Sequence, residues 1–170
     1  MARAYVGIGS NVEPEKNITS ALRALSEHYR LTGLSTFYLT RTLGSGDDPP
    51  FYNGAARVET ELSPREFKFD VLRKIEDNLG RVRSRDRYAP RTIDLDLVLY
   101  DSLVVREPGL VLPDPDVVTR AFLAMPLLEL DPGLVLPGGL RLADITRSLP
   151  TDEMAALAQF SEALKLELHT

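Results

Sequence analysis

The chain has no cysteine, no tryptophan and only two histidines, and each scarcity removes a class of chemistry. Without cysteine there is no disulfide, no thiolate metal site and no cysteine nucleophile, and the composition fits a reducing compartment. His28 and His169 stand near a helix end and at the tail, where neither is placed to act as a base or a metal ligand. A Ser-His-Asp triad would need one of them, and the G-x-S-x-G elbow is also missing. No apolar run reaches the ~18 residues of a bilayer crossing and no secretory leader is seen, so a soluble cytoplasmic protein is expected. The formal net charge of −5 and pI near 5.1 speak against a broad nucleic-acid surface. There is no G-x-x-x-x-G-K-[ST] loop. Gly7 and Gly9 lack the third glycine of a dinucleotide turn because Val12 stands in its place, so Gly7 to Asn11 reads as a tight strand-to-helix connection.

What is present is enough for a single core: 170 residues, 44% of them hydrophobic. Ala4 to Ile8 reads as a first strand. Pro14 then opens a helix whose buried stripe is Ile18, Ala21, Leu22 and Leu25. Tyr29 to Thr40 is rich in β-formers and is expected to pair with Phe51 to Glu61 across a Gly/Asp/Pro-rich loop, Arg41 to Pro50. Ser63, Pro64 and Glu66 form a capping box, with Leu62 stapled onto Phe67. Phe67, Val71, Ile75 and Leu79 carry a second helix that stops at Gly80. Strand, helix, strand, strand, helix, strand is the split βαβ order of a ferredoxin-like α+β fold, an antiparallel sheet with both helices on one face. Beyond it, Pro115 to Met125 reads as a short helix closed by Pro126, and Ala143 to Arg147 as one helical turn. Thr151 or Asp152 caps a last helix carrying Met154, Leu157, Leu164 and Leu168.

The chemistry concentrates in Arg81 to Tyr100. Thr92 to Tyr100 alternates as a strand, setting Ile93, Leu95, Leu97 and Leu99 on one face and Asp94 and Asp96 on the other. Two carboxylates at i and i+2 repel, and a hard divalent cation such as Mg2+ is the usual remedy. Arg81, Arg83, Arg85 and Arg87 recur with period two and Arg91 follows, a cluster of permanent cations suited to phosphate. A basic cluster in an acidic chain points to a small anionic ligand. Phe51 and Asn53 share a strand face and, with Phe122, could stack on a flat heterocycle and read its edge.

The run Arg87-Tyr-Ala-Pro-Arg-Thr-Ile-Asp-Leu-Asp-Leu-Val98, with Ile8-Gly-Ser-Asn11, Phe51-Tyr-Asn53 and Arg120-Ala-Phe122 before Pro126, resembles the 6-hydroxymethyl-7,8-dihydropterin pyrophosphokinase family. The similarity extends from about Tyr5 to Leu149, giving a catalytic domain over 1–150 and a helical extension of the same domain over 151–170 with no inherited role. The resemblance implies a ferredoxin-like fold and transfer of pyrophosphate from ATP to the pterin hydroxymethyl group in folate biosynthesis, by a monomer without nucleic-acid or membrane partners. It implies that Asp94 and Asp96 hold two Mg2+ ions, that Arg81 and Arg91 steady the transferring group, and that Glu76, Arg83, Arg87 and Arg120 border the nucleotide. Phe51 and Phe122 would sandwich the pterin, Asn53 and the backbone of Thr42 and Leu43 would read its edges, and Tyr88 would be a lid residue.

One position departs from the family pattern. Where the family carries His-Pro after Leu-Pro, this chain has Asp114-Pro115, and an ionised aspartate cannot donate to phosphate. A palm-type nucleotidyltransferase and a non-catalytic pterin or nucleotide sensor are the competing readings; free AMP as product separates the first, and binding without turnover the second.

Overall fold

A computed structural model of the chain describes residues 1–41, 48–85 and 90–170. Its centre is β1 (Ala2–Ser10), longer than the apolar segment alone suggests because it is paired on both edges. After it come α1 (Pro14–Ser26), β2 (Arg30–Leu34), β3 (Tyr38–Thr40) and β4 (Phe51–Thr60). The next helical stretch runs through α2 (Pro64–Glu66), a π-helical segment (Phe67–Leu72) and α3 (Arg73–Asn78), and leads to β5 (Asp94–Tyr100). The sheet order is β5-β1-β4, with β2 and β3 pairing successive parts of the outer edge of β4. Every pairing is antiparallel, and this is the ferredoxin-like arrangement expected from the element order.

Side chains pointing to one face of the sheet, Ala4, Val6, Ile8 and Leu95 among them, pack with Ile18, Leu22 and Leu25 of α1 and with Phe67, Leu72 and Ile75. The capping box forms as expected: the Ser63 hydroxyl accepts from the Glu66 N–H, while Glu66 accepts from the Ser63 N–H. Gly80 takes φ +80 just past the helix, a conformation that suits glycine. The i+4 stripe is corrected in its middle. The Arg73 N–H bonds five residues back to Lys68 O, so the buried partner of Phe67 is Leu72, and Val71 is only partly covered.

A second correction concerns β5. Tyr5 pairs Leu99 and Val6 pairs Leu97, so Val98 is an extra residue on the β5 side. This bulge reverses the alternation. Leu99 joins Tyr5, Val98 and Ala55 in a second core on the opposite face, and Tyr100 takes the place expected of Leu99.

That opposite face is partly covered by the rest of the chain. A hairpin of β6 (Val105–Glu107) and β7 (Leu110–Leu112), not foreseen from the sequence, adds Leu110 and Leu112 to the first core and leads to a 3-10 turn over Pro115–Val118, whose Val117 enters the second. Helix α4 (Ala121–Leu130) follows, with Pro126 inside it rather than ending it. The expected helix over Pro115 to Met125 is thus split at Arg120, which is extended. Leu123, Ala124 and Leu127 of α4 and Leu142 of α5 (Leu142–Thr146) fill the second core. Residues 154–156 are also corrected: they form β8 (Met154–Ala156) on the free edge of β3, because an unpaired edge offers backbone hydrogen bonds that a helix start does not. Helix α6 (Ala158–Leu168) then returns to the first face and buries Leu164.

Candidate active site

Cross-strand register builds the site floor. Asn53 of β4 lies opposite Gly9 of β1, and Gly9 lies opposite Asp94 of β5; one step along, Gly7 faces Asp96. Gly7 and Gly9 are thus strand residues. A Cβ at Gly9 would stand 2.8 Å from Asn53 Oδ1, and one at Gly7 would stand 3.1 Å from a Leu123 methyl. Their missing side chains help leave a cavity of about 330 Å3, bordered by Asp94, Asp96, Asn53, Phe51, Phe122 and Arg91. The two aspartates, the two aromatics and Asn53 are therefore brought together.

Asp94 and Asp96 differ sharply in company. Arg81 Nη1 donates to Asp94 Oδ1 at 2.6 Å and Arg91 Nη1 to Oδ2 at 2.7 Å. Asp96 accepts no hydrogen bond among the described residues. Its depth in the protein, then the charges of Asp94, Asp114 and Glu76, push its carboxyl well above the usual range, with Arg81 opposing. Water still reaches the side chain through the open cleft, so the three carboxylates weigh more in that shift than burial does.

Glu76 is the buried hub behind this floor. Its Oε2 accepts from the Leu95 N–H at 3.1 Å and from Arg81 Nη1 at 2.8 Å, and its Oε1 accepts from Arg83 Nη2 at 3.2 Å. Burial raises its pKa, opposed by the Leu95 N–H and then by Arg81. Glu76, Arg81 and Arg83 do not line the cavity; they stand behind Asp94, and Arg83 also reaches back to Asp77 at 2.5 Å. Arg120 does line it, and its Nε is 3.9 Å from Asp116. Thr42, Leu43, Arg87 and Tyr88 lie outside the described residues.

Several further residues contribute: Arg41, Thr40 and Asp116 with no advance signal beyond being polar and near the motifs, Asp114 as the departure from the family pattern, and Ser10 and Asn11 from the Ile8-Gly-Ser-Asn11 motif. Arg41, Thr40, Asp114 and Asp116 border the cavity. Thr40 Oγ1 accepts from Asn53 Nδ2 at 2.6 Å and so orients that amide. Asn11 accepts from the Arg91 N–H at 2.7 Å and donates to Pro49 O at 3.2 Å, and Ser10 Oγ donates to Thr92 O at 2.6 Å. The Ser10-Asn11 pair therefore ties down the ends of both functional loops. Asp114 caps the 3-10 turn by accepting from the Asp116 N–H at 2.9 Å. It also borders a second cavity, of about 240 Å3, which meets the first along Asp96 and Asp114.

The first cavity is lined by no cysteine, histidine or lysine among the described residues. Its cations and carboxylates instead suit a phosphate-transferring enzyme that works by position and charge. Comparison with known proteins makes the class specific. Residues 5–132 match the model of 7,8-dihydro-6-hydroxymethylpterin-pyrophosphokinase. The 2-amino-4-hydroxy-6-hydroxymethyldihydropteridine pyrophosphokinase of Haemophilus influenzae is 36% identical over 160 residues, covering 92% of this chain and 99% of that protein. The enzyme of the same name from Pseudomonas aeruginosa is 38% identical over 158 residues, covering 91% and 96%. Among solved structures, wild-type Plasmodium falciparum HPPK-DHPS with pteroate superposes with a TM-score of 0.68 at 10% identity, over 99% of this chain and 44% of that one. At that identity the likeness shows the fold alone. The chain belongs to the 7,8-dihydro-6-hydroxymethylpterin-pyrophosphokinase family.

Proposed function

We infer that this chain transfers pyrophosphate from MgATP to the hydroxymethyl group of 6-hydroxymethyl-7,8-dihydropterin in folate biosynthesis. The substrate oxygen forms a bond to the β-phosphorus, the bond from that phosphorus to the α-phosphate bridging oxygen breaks, AMP leaves with that oxygen, and the hydroxyl proton passes to solvent. The observation that carries this reading is the single row Asn53, Gly9, Asp94 across three strands, which joins an aromatic-walled slot to an arginine-paired carboxylate in one cavity.

Phe51 and Phe122 sandwich the pterin, and the Asn53 amide, held by Thr40, reads its edge. The backbone of Thr42 and Leu43 completes that edge, with Tyr88 as lid. Arg81 and Arg91 hold Asp94 before substrates arrive and turn to the transferring phosphates as the nucleotide enters. Glu76 keeps Arg81 and Arg83 in position, and Arg83, Arg87 and Arg120 border the nucleotide.

Two Mg2+ ions belong to the proposal, and the donor set fits them. Asp94 and Asp96 are hard oxygen ligands. No group of three or more acidic or histidine side chains among the described residues is placed to hold a metal ion by itself, so phosphate oxygens and water would complete each shell, the usual pattern for Mg2+. When bound, the ions neutralise the charge of the triphosphate. The proposal extends to a cytoplasmic monomer in which residues 1–150 carry catalysis and 151–170 belong to the same domain. No helix among the described residues is long and apolar enough to cross a membrane. The deciding assay incubates purified protein with MgATP and the pterin, and expects stoichiometric AMP and pterin diphosphate. Nucleotide incorporated into product, or binding without turnover, would overturn the reading.

A further inference from the structure

The second cavity, beside Asp96 and Asp114, is bordered by a basic side chain of the helical stretch. Among the described residues its lining is Asp96, Asp114, the apolar Leu97, Leu110 and Val111, Gly109, and one cation, Lys68. It shares Asp96 and Asp114 with the first cavity, so a long anionic ligand lying along the carboxylate floor of one passes into the other. Two carboxylates beside an aliphatic wall would repel such a ligand unless a positive group offset them.

Lys68 is built into that position. It sits in the π-helical segment at the residue whose carbonyl accepts the five-residue hydrogen bond from Arg73, and such irregular turns recur at functional sites. Its Nζ donates to Gly109 O at 2.5 Å, which leaves two ammonium hydrogens for a ligand. The Gly109 carbonyl is itself fixed, because Arg65 Nη2 clamps the same hairpin by bonding Glu107 and Pro108 O, each at 3.1 Å. The positive charge of Lys68 also acts on Asp114, opposing the effect of burial on that carboxyl.

We propose that Lys68 is a nucleotide-binding residue of this chain, its ammonium meeting the anionic portion of MgATP in the second cavity and offsetting Asp114 there. This rests on the pyrophosphokinase reading, and it assigns to a lysine of the helical stretch the donor role that Asp114 cannot fill.

The test is titration calorimetry of the full chain with a non-hydrolysable ATP analogue in Mg2+, alongside pterin titration, steady-state kinetics and thermal unfolding. Lys68→Met is expected to weaken the nucleotide about tenfold or more and to raise KM for ATP, with pterin affinity and Tm nearly unchanged. Lys68→Arg should stay within about threefold of wild type. Adding Asp114→Asn to Lys68→Met should recover part of the lost affinity. Wild-type binding with Lys68→Met inside about twofold of it overturns the proposal alone, as does an equal loss of nucleotide and pterin affinity, which would mark a structural role. Failure of the wild type to bind the nucleotide overturns the pyrophosphokinase reading along with it.

Discussion

Asp94 and Asp96 stand two residues apart on one strand with opposite needs. Asp94 is paired with two guanidinium groups, whereas Asp96 makes no ion pair among the described residues and feels Arg81 only at longer range, so the repulsion read from their spacing is relieved mainly at Asp94. Because Asp96 is held well above the usual carboxylate range, the folded chain binds its proton more tightly than the unfolded chain does. That stabilisation is complete below the ordinary value of 3.8 and is lost as pH rises through the raised value, so at neutral pH the ionised group costs stability. Asp96→Asn is therefore expected to raise Tm at neutral pH without divalent cations, with the gain closing as the pH falls toward 3.8. AMP release should drop by a factor on the order of 100, about 2.7 kcal/mol of barrier. Activity within threefold of wild type, or an unchanged Tm across that pH range, contradicts the assignment. Arg91→Ala is expected to lower kcat more than it weakens pterin binding, since its contact strengthens as charge shifts during transfer. A raised KM with unchanged kcat would instead make Arg91 a uniform binding residue.

At the scale of elements, the site is set by irregularities in otherwise regular pieces. The π-helical turn rotates Leu72 inward and leaves Lys68 beside the second cavity. The Val98 bulge lets β5 serve one core with Leu97 and the other with Leu99. Along β1, glycine keeps the row between Asn53 and Asp94 open. Gly9→Ala would place a methyl 2.8 Å from Asn53 Oδ1 and push the amide off Thr40. Pterin KM is expected to rise about tenfold, the order of a lost oriented hydrogen bond, while KM for ATP stays within about twofold; equal effects on both substrates would place Asn53 outside the pterin slot. The 3-10 turn after β7 depends on Asp114 as its cap. Asp114→His should tighten MgATP by about 1 kcal/mol, as one repulsion becomes one donor, and should lower stability by about 1 kcal/mol through loss of the cap. Calorimetry and denaturant unfolding read the two separately, and unchanged nucleotide affinity would mean that residue 114 does not face the phosphates.

Across the whole molecule, the two helical faces meet at the break between β2 and β3. There the Thr36 N–H is taken by Glu129 of α4 at 2.9 Å and the Phe37 N–H by Ser161 of α6 at 2.8 Å, so no backbone donor at the break is left buried and unpaired. Phe37 is fully buried against Gly54, and its ring meets Phe160 of α6 edge-on. The C-terminal segment thus braces β3, which carries Thr40 and through it Asn53. Ser161→Ala would strand the Phe37 N–H in the core at a cost of about 1–3 kcal/mol, a fall in Tm of about 2–4 °C per kcal/mol for a chain of this size. A change of less than 1 °C would show that α6 only lies against the sheet.

The sequence alone determined whatever depends on neighbours along the chain: the capping box at Ser63, the stripe of α1, the Gly80 stop, the βαββαβ order and the Asp94–Asp96 pair beside its arginines. Local rules reach that far because capping, periodicity and like-charge spacing act within a few residues. They did not reach Leu99, displaced by a bulge that exists only where β5 meets β1. Nor did they reach Met154 to Ala156, turned from helix to strand by the free edge of β3, or Glu76, whose partners Leu95, Arg81 and Arg83 converge through the fold. The tertiary structure alone decided that Ser10 and Asn11 anchor two distant loops and that Lys68 shares a cavity with Asp96 and Asp114. Such pairings link residues tens of positions apart, and only the packing of strands and helices brings them within hydrogen-bonding range.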